Sequence, residues 1–72
     1  MDLDTLPDML RVDEAAAVLR ISRSRAYEEV NVYQRTGGQA GVPSIRIGRS
    51  LRVPKRALLA WIEAQLSSPD AA

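Results

Sequence analysis

The sequence predicts a small α+β domain that is mainly helical and contains three short helices and one β-hairpin. Two patterns indicate this: apolar residues recur every three or four positions in three segments, and every second position across residues 43–54. A length of 72 residues allows one domain with a single small core. We expect that domain at residues 9–66, between a flexible N-terminal tail (1–8) and a flexible C-terminal tail (67–72).

The first two helices are predicted in the N-terminal half of the chain. The segment RVDEAAAVLR, residues 11–20, consists of helix formers, and its acids Asp13 and Glu14 fall in the first turn, where the helix dipole favours negative charge. Ser22 is a good N-cap for a second helix, which we expect to run from about Arg23 to about Arg35. The glycine-rich stretch TGGQAG then ends that helix.

The segment PSIRIGRSLRVP, residues 43–54, predicts a hairpin. Its apolar residues alternate as in a strand with one buried face: Ile45, Ile47, Leu51 and Val53. A three-residue connection over residues 48–50 would place Ile47 opposite Leu51, and it would also place Arg46 opposite Arg52. Like charges in this position cost a fraction of a kcal/mol, so the hairpin indicates an anionic partner.

A third helix should follow directly, because Pro54 suits a first helical turn and KRALLAWIEAQL carries one apolar stripe. All elements then share one core, of which we expect Trp61 to be the largest member. The full set predicted for this core is Val12, Ala16, Leu19, Ile21, Ala26, Val30, Ile45, Ile47, Leu51, Val53, Leu58, Trp61 and Ile62.

The composition argues against an enzyme. The chain has no cysteine and no histidine, so it lacks a thiolate nucleophile, an imidazole base and the common zinc ligands. We expect no catalytic residue, no metal, no cofactor and no small-molecule ligand. No apolar run approaches the roughly 18 residues that cross a bilayer, and the acidic start lacks the basic region of a signal peptide. We therefore expect a cytoplasmic protein without membrane contacts.

Charge is unevenly distributed along the chain. The formal net charge is only +1, yet residues 20–56 carry eight arginines and Lys55 against Glu28 and Glu29, a net +7. Residues 1–19 carry −4 and residues 57–72 carry −2. The middle of the chain is therefore a basic block, which indicates an anionic macromolecule such as nucleic acid.

The order of the elements matches a winged helix-turn-helix, with a two-stranded antiparallel wing and a C-terminal helix. Two helices joined by about four residues form a helix-turn-helix, whose second helix lies in the major groove. Hydroxyl and guanidinium groups there would bond phosphates or guanine, and Glu28 would accept from cytosine. The candidate contacts on this recognition helix are Ser22, Arg23, Ser24, Arg25, Tyr27 and Glu28.

The wing would add charge beside that helix. Arginines on it can straddle a phosphate strand or reach the adjacent minor groove. The candidates are Arg46, Arg49, Ser50 and Arg52 on the wing, and Arg20, Lys55 and Arg56 as further phosphate contacts. Such arginines also occur as solvated, edge-protecting charges, so the interpretation rests on the order in which cap, basic helix start and basic hairpin occur.

The stretches LRVDEAAAVLRISRSRAYE and TGGQAGVPSIRIGRSLRVPKRALLAWI resemble the excisionase family, small winged-helix proteins related to MerR-type DNA-binding domains. The resemblance covers residues 10–66, and IRIGRSLRVP followed by a helix is its most specific part. It departs from the family at Arg11 and Arg20, where relatives often have a Ser or Thr cap and a turn glycine. We therefore expect a poorly capped first helix and a less sharp turn.

The resemblance implies a recombination directionality factor of a phage or integrative element. Such a protein binds adjacent sites on double-stranded DNA beside an attachment site, bends the DNA and directs a tyrosine or serine integrase toward excision, with cooperative contacts between copies. Two other interpretations remain open from the sequence. One is a small winged-helix transcriptional regulator, and the other is a protein-binding adaptor that uses the apolar stripe of the last helix.

Overall fold

The computed structural model describes residues 5–67. Three helices and three short strands follow one another along this part of the chain. They are β1 (Met9–Leu10), α1 (Val12–Leu19), α2 (Arg23–Arg35), β2 (Ile45–Ile47), β3 (Ser50–Pro54) and α3 (Lys55–Ser67). The predicted α+β class and the order of helix, turn, helix, hairpin and helix are confirmed.

Both ends of α1 are closed by hydrogen bonds. At its start, the backbone N–H of Arg11 donates to the Glu14 carboxylate at 2.8 Å, which is one half of a capping box. At its end, Arg20 adopts the left-handed conformation with φ 58° and ψ 42°. The N–H groups of Arg20 and Ile21 then donate to the carbonyls of Ala17 and Ala16, which makes a tight C-terminal turn with arginine where glycine is usual.

Helix α2 starts and ends at the residues expected from the sequence. The hydroxyl of Ser22 accepts from the backbone N–H of Arg25 at 3.1 Å, so Ser22 is the N-cap. Thr36 ends the helix, and its hydroxyl donates to the carbonyl of Val32 at 2.8 Å. The prediction of a helix from Arg23 to Arg35 is therefore confirmed.

The sheet has three strands rather than the two expected for the wing. The strand order is β1-β3-β2, and β1 pairs antiparallel with β3 through Met9 opposite Pro54 and Leu10 opposite Val53. A strand of two residues leaves no recurring pattern in the sequence, so alternation could not indicate it. Leu10 is fully buried, and β1 thereby ties the start of the domain to the base of the wing.

The register of the hairpin differs from the predicted one by one residue. Ile47 lies opposite Ser50, and Arg46 lies opposite Leu51 rather than Arg52. The connection is a two-residue turn that begins with Gly48 at φ 62°, and a positive φ at this position belongs to the turn types whose twist matches that of the paired strands. The expected pairing of two arginines is therefore wrong, and the wing does not place them directly opposite each other.

The core lies between the two first helices, the base of the sheet and the start of α3. Its buried apolar residues are Leu10, Val12, Ala15, Ala16, Ala26, Val30, Val42, Val53 and Leu58. Two residues predicted there, Ile45 and Ile47, are 42% and 58% exposed, because the shifted register turns them outward. Trp61, expected to be the largest core member, is only half-buried against the core, as are Leu19, Ile21, Leu51 and Ile62. Leu10 and Leu58 are the largest fully buried side chains.

The two predicted tails lie largely outside the described residues. Two residues of the N-terminal tail accept hydrogen bonds from Lys55. The carbonyl of Leu6 accepts from Lys55 Nζ at 3.1 Å, and the carbonyl of Asp8 accepts from the Lys55 backbone N–H at 2.8 Å. These bonds hold the chain before β1 against the start of α3. Within residues 5–67, no helix is long and apolar enough to span a bilayer.

Candidate nucleic-acid interface

One face of α2 is polar and exposed along its length. The residues on it share a spacing of three or four positions and line a shallow surface of their own: Arg23, Ser24, Tyr27, Glu28 and Asn31. The opposite face carries Ala26 and Val30, which are 2% and 1% exposed and pack into the core. Burial of this second face holds α2 so that the polar face points outward.

The wing and the start of α2 meet in a cleft, which we call the basic cleft. Its volume is about 410 Å³, and its walls come from the start of α1, the start of α2 and the tip of the wing. It is lined by Arg11, Val12, Asp13, Arg23, Tyr27, Arg49, Ser50, Leu51 and Arg52. Four guanidinium groups therefore line this cleft against one carboxylate, that of Asp13.

Packing beneath the cleft holds its walls together. Val12 of α1 and Val53 of β3 are both almost fully buried, so the helix start and the wing strand share one apolar layer. The half-buried Arg52 donates from Nη1 to the carbonyl of Leu51 at 2.9 Å, which fixes its side chain along the strand. The guanidinium carbon of Arg23 lies 5.4 Å from the centroid of the Tyr27 ring.

A protein-family model described as a helix-turn-helix domain matches residues 9–66. The chain belongs to the helix-turn-helix domain family. Searches of the curated proteins and of the solved structures found no significant match to it. Helix-turn-helix domains of this kind are small DNA-binding modules and are typically without catalytic activity.

The helix-turn-helix domain brings together only part of the predicted contact set. Arg23, Tyr27, Arg49, Ser50 and Arg52 line the basic cleft. Arg46 is exposed on the edge strand β2 and does not line the cleft.

Arg25 lies on a flank of α2, where it forms ion pairs with two glutamates. Its Nη1 is 3.9 Å from Glu28, and its Nε is 3.8 Å from Glu29. All three side chains are partly exposed, so these pairs are weak and do not prevent a contact with DNA.

The three further phosphate candidates lie outside the basic cleft. Arg20 is exposed in the turn of the helix-turn-helix. Lys55 and Arg56 lie at the start of α3, beside Asp8 and Pro54, in a separate depression. The Lys55 ammonium already donates to the carbonyl of Leu6, so a phosphate would have to share or replace that bond.

Two residues that the sequence reasoning did not include join this surface. Arg11 lines the basic cleft from the start of α1, although it stands in the acidic part of the chain. Asn31 lies on the exposed face of α2, seven residues after Ser24 and four after Tyr27. The helical spacing could have indicated Asn31, whereas Arg11 reaches the cleft only through tertiary packing.

Proposed function

We propose that this helix-turn-helix domain is a sequence-specific, DNA-bending excision factor. The observation that carries the proposal is the basic cleft, in which the start of α2 and the tip of the wing place guanidinium groups side by side, so that Arg23 would face the bases and the wing arginines the phosphates. Duplex DNA carries closely spaced phosphates along each groove edge, so several of these guanidinium groups could form ion pairs with it at the same time. The likeness to excisionases supports the role in recombination.

The exposed face of α2 would read bases in the major groove. Arg23 would donate to the acceptors of guanine, and Ser24 to either kind of base or to a phosphate. Glu28 would accept from the amino group of cytosine, and Asn31 would bond adenine through its amide. Tyr27 would pack beside the backbone and keep Arg23 extended.

The wing and the start of α1 would grip the backbone. Arg49 is exposed in the turn between β2 and β3, so it would enter the minor groove or bond the phosphates that border it. Arg52 and Arg11 would contact phosphates from the two walls of the basic cleft. Contacts of this kind set orientation and affinity without reading sequence.

The proposed role in excision requires more sequence specificity than one DNA-binding domain supplies. The part that the structure describes is a single DNA-binding module, and one such module gives limited specificity on its own. The remaining specificity would come from adjacent sites on the DNA, from contacts between neighbouring copies and from an integrase of the tyrosine or serine class. Bending of the DNA would then bring the integrase sites into a geometry that favours excision.

The first test is binding to random duplex DNA across a salt series. A surface that neutralises about four to six phosphates gives a log-log slope of roughly −4 to −5. A flat line, with no binding at low salt, would contradict DNA binding and favour a protein-binding adaptor.

The second test separates the excision factor from a regulator. Sites selected from a random library are footprinted and examined for bending, and the protein is then added to an integrase with its attachment-site DNA. We expect clustered sites, a bend and more excision product. A single isolated site at a promoter, with no effect on recombination, would instead indicate a transcriptional regulator.

A further inference from the structure

A second groove lies between α2, the glycine-rich loop after it and α3; we call it the aromatic groove. Its volume is about 740 Å³, within the range of sites that hold small ligands or side chains. Its main lining side chains are Glu29 and Tyr33 of α2, Gln39 of the loop, and Trp61 and Gln65 of α3. Within residues 5–67 it shares no lining residue with the basic cleft.

The glycine-rich loop that forms one wall of this groove has a fixed backbone conformation. Gly41 has φ 87°, and a side-chain carbon there would lie 2.3 Å from the carbonyl oxygen of Glu29, so α2 and the loop touch through backbone alone. The next residue, Val42, donates its N–H to that same carbonyl at 3.2 Å and is 2% exposed. The groove is therefore formed before any ligand arrives, which lowers the entropy that binding would cost.

The chemistry of the lining suits a cation with several donors. The rings of Tyr33 and Trp61 are both half-buried, and aromatic faces carry negative potential. Among the lining residues that the structure describes, Glu29 is the one with a charged side chain, and it is negative. The amide oxygens of Gln39 and Gln65 add neutral acceptors.

The carboxylate of Glu29 already forms an ion pair with one guanidinium, that of Arg25. Arg25 approaches its carboxylate from the same helix at 3.8 Å, which is longer than a charge-assisted hydrogen bond. A carboxylate has about four acceptor positions, so Glu29 keeps capacity for a second guanidinium on the groove side.

We propose that the aromatic groove binds an arginine side chain of a partner polypeptide. A guanidinium is flat, so it stacks on aromatic rings, and its donors fit a carboxylate and amide oxygens together. Lysine lacks both the flat surface and the fork of donors. The occupied groove would leave the basic cleft open, so a partner could be held while DNA is bound.

The test uses the full chain without DNA, so its outcome is independent of the proposed function. The probe is Nα-acetylarginine methylamide, followed through the indole N–H signal of Trp61, which is the single tryptophan of the chain. Nα-acetylcitrulline methylamide has nearly the same shape without the charge. We expect saturable shifts with the arginine compound and binding at least about fivefold weaker with citrulline.

Matched variants locate the interaction. Glu29→Gln should weaken binding of the arginine compound about fivefold or more, whereas Glu63→Gln changes the protein charge equally on the exposed side of α3 and should leave binding unchanged. Tyr33→Leu, in a sample whose amide spectrum shows a folded protein, should weaken binding through loss of one ring.

Four results would overturn the proposal. They are equal binding of the citrulline compound, equal loss in Glu63→Gln and Glu29→Gln, unchanged binding in folded Tyr33→Leu, and tighter binding of Nα-acetyllysine methylamide than of the arginine compound. A dilution series without any ligand is the last control. Movement of the Trp61 signal on dilution would assign the groove to a second copy of this chain instead of a different partner.

Discussion

The guanidinium of Arg23 lies over the ring of Tyr27, with its carbon 5.4 Å from the ring centroid, and both residues line the basic cleft beside the wing. This contact restrains a long side chain before DNA arrives, so less rotamer entropy is lost on binding. It also directs Arg23 toward the wing, whereas Arg25 is held by glutamates on another flank of α2.

The first prediction concerns base discrimination by Arg23. Arg23→Ala should reduce the preference for a selected site over single-base variants by about tenfold or more, the usual effect of losing a bidentate base contact. Tyr27→Phe keeps the ring and should retain the preference, while Tyr27→Ala should lose part of it. Competition binding on variant duplexes measures all three. An unchanged preference in Arg23→Ala would exclude this residue from base reading.

The second prediction concerns the wing. Arg49→Ala and Arg52→Ala should weaken binding to all sequences alike, and each should reduce the salt slope by about 0.9. Arg46→Ala is the matched control, because Arg46 lies on the same hairpin outside the basic cleft and should change the slope less. A salt series on random duplex provides the measurement. Equal effects of all three changes would mean that the cleft does not define the contact surface.

The third prediction concerns the turn between α1 and α2. Arg20 has φ 58°, where glycine is strongly favoured, so Arg20→Gly should stabilise the fold by about 1 kcal/mol. Arg20→Ala removes the charge but keeps the strain, and it should leave stability nearly unchanged. Urea unfolding of the three proteins checks this. If Arg20 contacts a phosphate, both variants bind DNA more weakly although only one is more stable.

The fourth prediction concerns the close approach of the loop to α2. Gly41→Ala should destabilise the fold by about 3 kcal/mol or more, because the new methyl group would meet the Glu29 carbonyl and φ is unfavourable. Gly37→Ala has a similar positive φ of 63° but no atom within 4 Å, so it should cost only about 1 kcal/mol. Thermal unfolding compares them. Similar costs at both positions would contradict the close contact.

The fifth prediction concerns the core. Leu58 is fully buried, so Leu58→Ala should cost about 2 to 5 kcal/mol, a large share of the stability of so small a domain. Leu66→Ala, on the same helix at 82% exposure, should change stability by no more than about 0.5 kcal/mol. Circular dichroism during urea unfolding distinguishes them. A small loss in Leu58→Ala would show that the core is packed differently.

Local signals in the sequence were enough to predict the helices. The hydroxyl of Ser22 and the glycines after Arg35 act on neighbouring backbone, so the bounds of α2 could be predicted without knowledge of the fold. The register of the hairpin could not be predicted in this way, because the alternation of apolar residues fits a two-residue and a three-residue turn equally well. The backbone conformation of Gly48 decides between them.

Contacts between distant segments account for the remaining differences. Leu10 becomes part of the core only by pairing with Val53, and no pattern near residue 10 indicates that partner. Arg11 reaches the basic cleft for the same reason, since the position of α1 beside the wing is a property of the packed domain. The placement of Arg23 and Tyr27 on one exposed face of α2 was predictable, because it follows from their spacing along one helix.

The pairing of Met9 with Pro54 also has a consequence for biosynthesis. The strand partner of residue 9 does not exist until the ribosome has added Pro54 to the chain. Helices α1 and α2 are adjacent in sequence and can form early, but the sheet that closes the core must wait for β3. The basic cleft needs the wing beside α2, so a nascent chain that ends before β3 cannot form the complete cleft.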